Sequence, residues 1–413
     1  MSFEVAPRSI ADFHHRGRRL RLDSGSGPWL FEADGTRWLD LVCGYGPVII
    51  GHSDPEFLTL TSDHMAKGQQ FASCSTLHEM YAEGLPDIWP MGSCAFFKTS
   101  SEAVTAAVRI SSRLTSKKGV VRCGFTGWHD VQQSPRIAWH LMPQSPERVR
   151  KFVPNMTLRG VSGDEAVFDW VDLRPDSLEE LLNRHGSLIG TVVVDTYQEE
   201  LTDIELIRTA VDLCKRHDVT IVLDETKTSG RVAEMGFTEQ KSLQPDMVVA
   251  GKAIANGAPL SLLLLPRHLG QYVEKNRVGG THSKERFGVA AAVVTRELMS
   301  RRQGYEIFPV LGKTWEITYR RAIESLDLSN RVTVHSVLGG AGLDLRLAAP
   351  DDTHEGRSAF QGAFATQGIL SLVGHPSFFD TGAYPGGPRL VGTTRVRCAS
   401  EMENQHRPAD VMI

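Results

Sequence analysis

Between about residues 92 and 265, short, continuous apolar runs alternate with stretches whose apolar residues recur at helical spacing. The runs are Cys94–Phe97, Val120–Cys123, Leu188–Val194, Val219–Leu223, Met247–Ala250 and Leu260–Leu265. Between them, Glu102–Leu114 has a helical pattern, and Ile204–His217 puts Ile204, Ile207, Ala210, Val211 and Cys214 on one face. A strand half-exposed to water alternates polar and apolar residues. One that is apolar throughout and rich in β-branched residues is covered on both faces. Strands of that kind alternating with helices predict an α/β domain with a mostly parallel sheet.

The flanks read differently. Two short apolar runs surround Asp34-Gly35, a hairpin signal, and the turn-rich Cys43-Gly-Tyr-Gly-Pro47 follows. After about residue 300, a helical pattern over Tyr305–Leu326 precedes strand-like Arg331–Val337 and Leu343–Leu347, so a smaller α+β domain is expected there. We expect residues 1–52 to form an arm and hairpin packing with that domain, 53–300 the large domain, and 301–413 the rest of the small one. The last fifteen residues are polar and unpatterned.

Composition narrows the function classes. With 45 Lys+Arg against 49 Asp+Glu, the net charge of −4 gives no general attraction to nucleic acid or anionic membrane. The longest apolar run, Leu260–Pro266, is far short of the ~20 residues that a bilayer requires. The six cysteines are scattered with no C-x-x-C pair, which predicts free thiols in a reducing compartment, hence a cytoplasmic protein, and no zinc site. The histidines show no ligand spacing, so no metal is expected.

Two residues carry the most chemical information. Asp224 ends the run Val219–Leu223, and Lys252 follows Met247–Ala250 after one glycine. Open parallel sheets bind ligands at the carboxyl ends of their strands. A lysine and a carboxylate there suit pyridoxal phosphate, which needs an amine for a Schiff base and an acid partner for its ring nitrogen. A structural ion pair, or two unrelated residues, remains open. Lys98-Thr-Ser-Ser-Glu-Ala103 joins a strand to a helix, and a helix start collects anions such as phosphate, although Ser and Thr also serve there as ordinary caps. Trp128, in Gly127-Trp-His-Asp130, could stack on a heteroaromatic ring or simply pack. Thr281, after Gly279-Gly280, could donate to a phosphate or belong to a polar loop.

In this order and spacing, these stretches resemble the class III, fold-type I pyridoxal-phosphate aminotransferases, nearest the glutamate-1-semialdehyde aminomutase branch. The resemblance covers about residues 20–380. It includes Trp29–Gly35 with Trp38–Asp40, Gly46–His52, Phe97–Ala103, Gly127–His129, Val222–Thr228 with Arg231, Pro245–Lys252 and Gly280-Thr281. It implies a seven-stranded-type, mostly parallel sheet, pyridoxal 5′-phosphate as cofactor, and a homodimer with active sites at the interface. By resemblance, Lys252 would hold the cofactor and shuttle a proton, and Asp224 would pair with the ring nitrogen. Ser100 and Ser101 would bind the phosphate, Trp128 would stack on the ring, and Thr281 would reach the neighbouring subunit's phosphate. Trp29, Tyr45 and His129 would line the substrate site.

The sequence also departs from the family. The aminomutase branch carries a carboxylate-gripping arginine where Trp29 stands here, and Trp cannot form that bidentate bridge. Lys284 and Arg286, in what reads as a solvated loop, are the other candidates for holding a carboxylate. Asp195-Thr-Tyr-Gln-Glu-Glu200 replaces the usual Glu-Pro motif, and Thr-Ser-Ser replaces Ser-Gly-Thr. The expected activity is amino transfer from a small-molecule amine donor to a carbonyl acceptor. Glutamate-1-semialdehyde itself is disfavoured, and the divergence points to secondary metabolism. The same residues would also serve an aminomutase, racemase, epimerase or decarboxylase. A non-catalytic binding protein is the remaining reading.

Overall fold

In the computed structural model, residues 13–16, 18–127, 167–170, 173–197, 204–348, 351, 354–371 and 377–378 are described. The chain packs as two compact units, Gly46–Ile49 with Pro55–Tyr305, and Met1–Tyr45 with Ile50–Asp54 and Glu306–Ile413.

The larger unit is built on a seven-stranded sheet. Its strands are β1 (Met91–Phe97), β2 (Gly119–Cys123), β3 (Val167–Asp169), β4 (Ile189–Asp195), β5 (Thr220–Asp224), β6 (Met247–Gly251) and β7 (Ser261–Pro266). Their order across the sheet is β1-β7-β6-β5-β4-β2-β3. The pairings β6-β5, β5-β4, β4-β2 and β2-β3 are parallel. Only β7 runs the other way, antiparallel to both β6 and β1. Reversing twice, at β7, leaves β1 parallel to β6, so their carboxyl ends emerge at the same edge as those of β5 and β4.

Every residue of β2, β4, β5, β6 and β7 is buried, because successive side chains go to opposite covered faces. Val193, Val222, Met247 and Val249 join Val104, Ala107 and Ile110 of helix α1 (Ser100–Thr115) in one core. On the other face, Val192, Val194, Ile221 and Leu223 pack with Leu178 and Leu182 of α2 (Pro175–His185) and Ile207 and Val211 of α3 (Ile204–Arg216). Each fully buried Val, Leu or Ile side chain contributes roughly 1.5–3 kcal/mol. The continuous apolar runs therefore secure this sheet from both sides.

The other unit has two small sheets. In the first, Leu22–Ser26, Trp29–Glu32 and Arg37–Asp40 form an antiparallel meander, and Ile369–Leu370 adds in parallel. The tight turn at Asp34-Gly35 holds Gly35 at φ +85°, where a side chain would be strained. In the second sheet, Val332–Val337 pairs with Gly342–Leu347 and the latter with Ser377–Phe378. The long helix Gly304–Ser325 belongs to the expected Tyr305–Leu326 pattern.

Candidate active site

Asp224 is the last residue of β5 and is 4% exposed. Thr226 donates to its Oδ1 twice, from the backbone N at 3.0 Å and from its hydroxyl. Oδ2 accepts no hydrogen bond among the described residues. Burial pushes the carboxyl up to about 7, and the Asp195 carboxylate, its register partner on β4, pushes the same way.

Lys252 begins a turn of 3₁₀ helix, Lys252–Ala255, directly after β6. Its backbone sits at φ +49°, a left-handed conformation that a lysine adopts only when its surroundings impose it. Among the described residues its Nζ has no hydrogen bond and no ion pair. Burial pushes the amine down to about 7, and the positive charges of Lys227 and Arg231 reinforce this against Asp195 and Asp224. A lysine of this kind has a substantial neutral, nucleophilic fraction at neutral pH, which an ordinary lysine lacks.

The start of α1 is brought to the same edge. Thr99 caps the helix and exchanges hydrogen bonds with Glu102, so its hydroxyl is committed to the cap. The hydroxyls of Ser100 and Ser101 make no hydrogen bond among the described residues. A Cβ on Gly251, the residue before Lys252, would lie 2.3 Å from Ser100 Oγ. A Cβ on Gly127, at φ +111°, would lie 2.7 Å from Ser101 Oγ. Two glycines thus let the helix start nestle against the turns beyond β6 and β2. Trp128 and His129, next along the chain, lie outside the described residues.

Beside these open groups is a closed one. Glu225 is fully buried, and its two oxygens accept from Thr196 Oγ1, Thr228 Oγ1, Phe237 N, and the N and Oγ1 of Thr238. Sequence reasoning gave no role to Glu225 or Lys227, and named Asp195 only as the start of a motif that departs from the family. Asp195 at the end of β4 is ion-paired with Lys227, two turns of chain that no local spacing connects.

The remaining predicted residues fall elsewhere. Thr281 is exposed in a short 3₁₀ turn, and its carbonyl accepts from Gln70 Nε2 at 3.1 Å. Trp29 and Tyr45 belong to the smaller unit. Trp29 starts the second strand of the meander with the exposed Arg37 guanidinium 4.8 Å from its ring centre. Tyr45, at φ +66°, packs against a cluster containing Leu20, Trp38 and Leu370. Lys284 is exposed and donates to the Ala72 carbonyl at 2.9 Å. The expected solvated loop is corrected at Arg286. That residue is 5% exposed and donates to the Gly68 carbonyl at 2.8 Å, because the segment pairs with residues 68–72.

The family model for class III aminotransferases matches residues 13–303. The chain belongs to that family. Its cofactor is pyridoxal 5′-phosphate. The chain is 28% identical over 379 residues to 2′-deamino-2′-hydroxyneamine transaminase of Streptomyces kanamyceticus, covering 91% of this chain and 87% of that protein. It is 26% identical over 302 residues to glutamate-1-semialdehyde 2,1-aminomutase of Rhodopirellula baltica, covering 70% and 66%. Among solved structures, a transaminase with pyridoxal phosphate bound aligns with TM-score 0.75 at 18% identity, covering 92% of this chain and 90% of the other. The last likeness bears on the fold alone.

The donor set of this aminotransferase fits its cofactor. An amine and a carboxylate oxygen without partners among the described residues, and two hydroxyls at a helix start equally uncommitted there, lie at one edge of the sheet. These are the functions that an aldehyde, a ring nitrogen and a phosphate require.

Proposed function

We propose that this aminotransferase moves an amino group from a small amine donor to the carbonyl of a small-molecule acceptor, with Lys252 holding the cofactor. The observation that carries this is that, at adjoining strand ends, the Lys252 amine and one Asp224 oxygen have no hydrogen-bond partner among the described residues. When bound, pyridoxal phosphate supplies a ring that takes up the electron pair left as a proton leaves the substrate's amine-bearing carbon. Lys252 Nζ, poised near neutrality, can hold that proton and return it. Asp224, through its open Oδ2, would pair with the ring nitrogen and favour its charged form, while Ser100, Ser101 and the first N–H groups of α1 would hold the phosphate.

We assign Trp128 to the ring face, and Thr281 to the phosphate of a second copy in a homodimer. The exposed position of Thr281 supports the latter. Trp29, Tyr45 and His129 are assigned to the substrate pocket. Trp29 offers an aromatic face where a carboxylate would need an arginine, so the substrate lacks a carboxylate at that place. The Streptomyces relative, aligned over nearly the whole chain, supports transamination in secondary metabolism over the aminomutase reaction. All five described cysteines are free thiols, which supports a cytoplasmic setting. No helix among the described residues is long and apolar enough to cross a membrane.

The test is the visible absorption of the purified protein against a panel of amines. A yellow band that one amine bleaches, and that Lys252→Ala lacks, supports the reading. Efficient turnover of glutamate-1-semialdehyde without an added donor would overturn both the substrate assignment and the preference for intermolecular transfer.

A further inference from the structure

The turn after β5 carries a second lysine that the expected chemistry does not use. Lys227 reaches back to Asp195 Oδ2 at the end of β4, and the pair is well enclosed, with side-chain exposures of 13% and 2%. Asp195 is fixed in turn, since its Oδ1 accepts from Tyr197 N at 3.1 Å. The Lys227 ammonium also lies 5.7 Å from the Phe125 ring centre and 5.8 Å from that of Tyr197.

This turn is locked onto the turn that bears Lys252. Ser229 Oγ accepts from Gly251 N at 3.1 Å and donates to the Gly251 carbonyl at 3.2 Å. Gly230, at φ +74°, comes so close that a Cβ there would lie 2.7 Å from Ala253 Cβ. The turn that carries Lys227 is therefore fixed against the turn that carries Lys252 by the Ser229 hydroxyl and by the close approach of Gly230 to Ala253. The charged groups that face Lys252 are Lys227 and Arg231 from this turn, Asp195 from β4 and Asp224 from β5. Those that face Asp224 are Asp195, Lys227 and Lys252.

We propose that Lys227, held by Asp195, is a positioning residue that fixes a positive charge close to Lys252 and so disfavours a proton on its Nζ. The pair has a second consequence. Lys227 neutralises Asp195, so its strand neighbour Asp224 is the carboxylate left to meet the ring nitrogen. An enclosed charge acts strongly on a neighbouring titration because little water screens it. The inference rests on the reading of Lys252 given above.

The two halves of the pair act on Lys252 with opposite sign, and this makes the inference testable. The readout is the pH midpoint at which the visible band of the full-length, pyridoxal-phosphate-loaded protein shifts, which reports the proton on Lys252 Nζ. Lys227→Met removes the positive charge and uncovers Asp195, so the midpoint should rise by about one pH unit, tenfold in proton affinity. Asp195→Asn leaves Lys227 uncompensated, so the midpoint should fall. Lys227→Arg keeps the charge and should restore the parent midpoint, and the double variant Asp195→Asn/Lys227→Met should lie between the single ones. A merely structural pair would move both single variants in the same direction or move neither, and either result overturns the proposal. So would Lys227→Arg behaving like Lys227→Met. If Lys252→Ala retains the band, the assignment of Lys252 itself fails, an outcome separate from any pattern of shifts.

Discussion

The open edge around Asp224 and the sealed pocket around Glu225 are one residue apart at the end of β5, and both hold a buried carboxylate. Glu225 is saturated by hydrogen bonds from Thr196, Thr228, Phe237 and Thr238, which tie the end of β4, the turn after β5 and the start of the helix at Phe237 together. Asp224 receives help from Thr226 alone, on one oxygen. Burial raises both carboxyls, but hydrogen bonds to Glu225 from three threonines work against that rise, whereas Asp224 also feels the like charge of Asp195 and reaches about 7. A buried polar group with all its partners in the protein holds a fold together. One left short of partners destabilises the fold until a ligand supplies them. The contrast separates framework from function on a single strand end.

Substitutions should divide along the same line. The largest effect is expected at Asp224. Asp224→Asn should lower kcat on the order of 10³-fold, because the charge aimed at the ring nitrogen is gone, while cofactor-free protein unfolds no more easily than the parent. Glu225→Ala should do the reverse. It strands several buried donors and should cost about 3 kcal/mol or more, read as a lower Tm and poor soluble yield. Activity per folded molecule should change little by comparison. Gly230→Ala should cost about 2–3 kcal/mol, since Gly230 is held at φ +74° and the new Cβ would crowd Ala253.

A pH-dependent effect sharpens the contrast further. The folded-state pKa of Asp224 is raised above its ordinary value, so its ionisation destabilises the cofactor-free protein progressively between about pH 4 and about pH 7. Asp224→Asn removes that cost. Its stability advantage over the parent should therefore be absent at pH 4, grow as the pH rises to 7, and stay level above it, as urea unfolding at a series of pH values would show. The smallest effect is expected in the other unit. Trp29→Arg should improve kcat/KM for carboxylate-bearing substrates by about tenfold relative to uncharged ones, the order of a single bidentate charge-assisted contact.

The large sheet was legible in the sequence because strands covered on both faces must be apolar throughout, and the six runs named from the sequence all became strands within a few residues. Asp224 and Lys252 were legible because strand ends are where such sheets place ligand groups. The antiparallel direction of β7 left no mark, since Leu260–Leu265 would be equally apolar either way. The Asp195–Lys227 pair and the pocket around Glu225 were invisible for a related reason. Asp195 and Lys227 are 32 residues apart, Thr196 and Glu225 are 29 apart, and both pairs meet because β4 and β5 are neighbours in parallel register. Arg286 was misjudged as solvated because its burial depends on pairing with residues 68–72, more than two hundred positions earlier.

Two enclosed lysines stand near the same strand ends, so the central claim reduces to which of them carries the cofactor. Borohydride reduction of the pyridoxal-phosphate-loaded protein, followed by peptide mass spectrometry, decides it. The account predicts one phosphopyridoxyl group, on the peptide containing Lys252, with Lys227 unmodified. A label on Lys227, or none on Lys252, would contradict it.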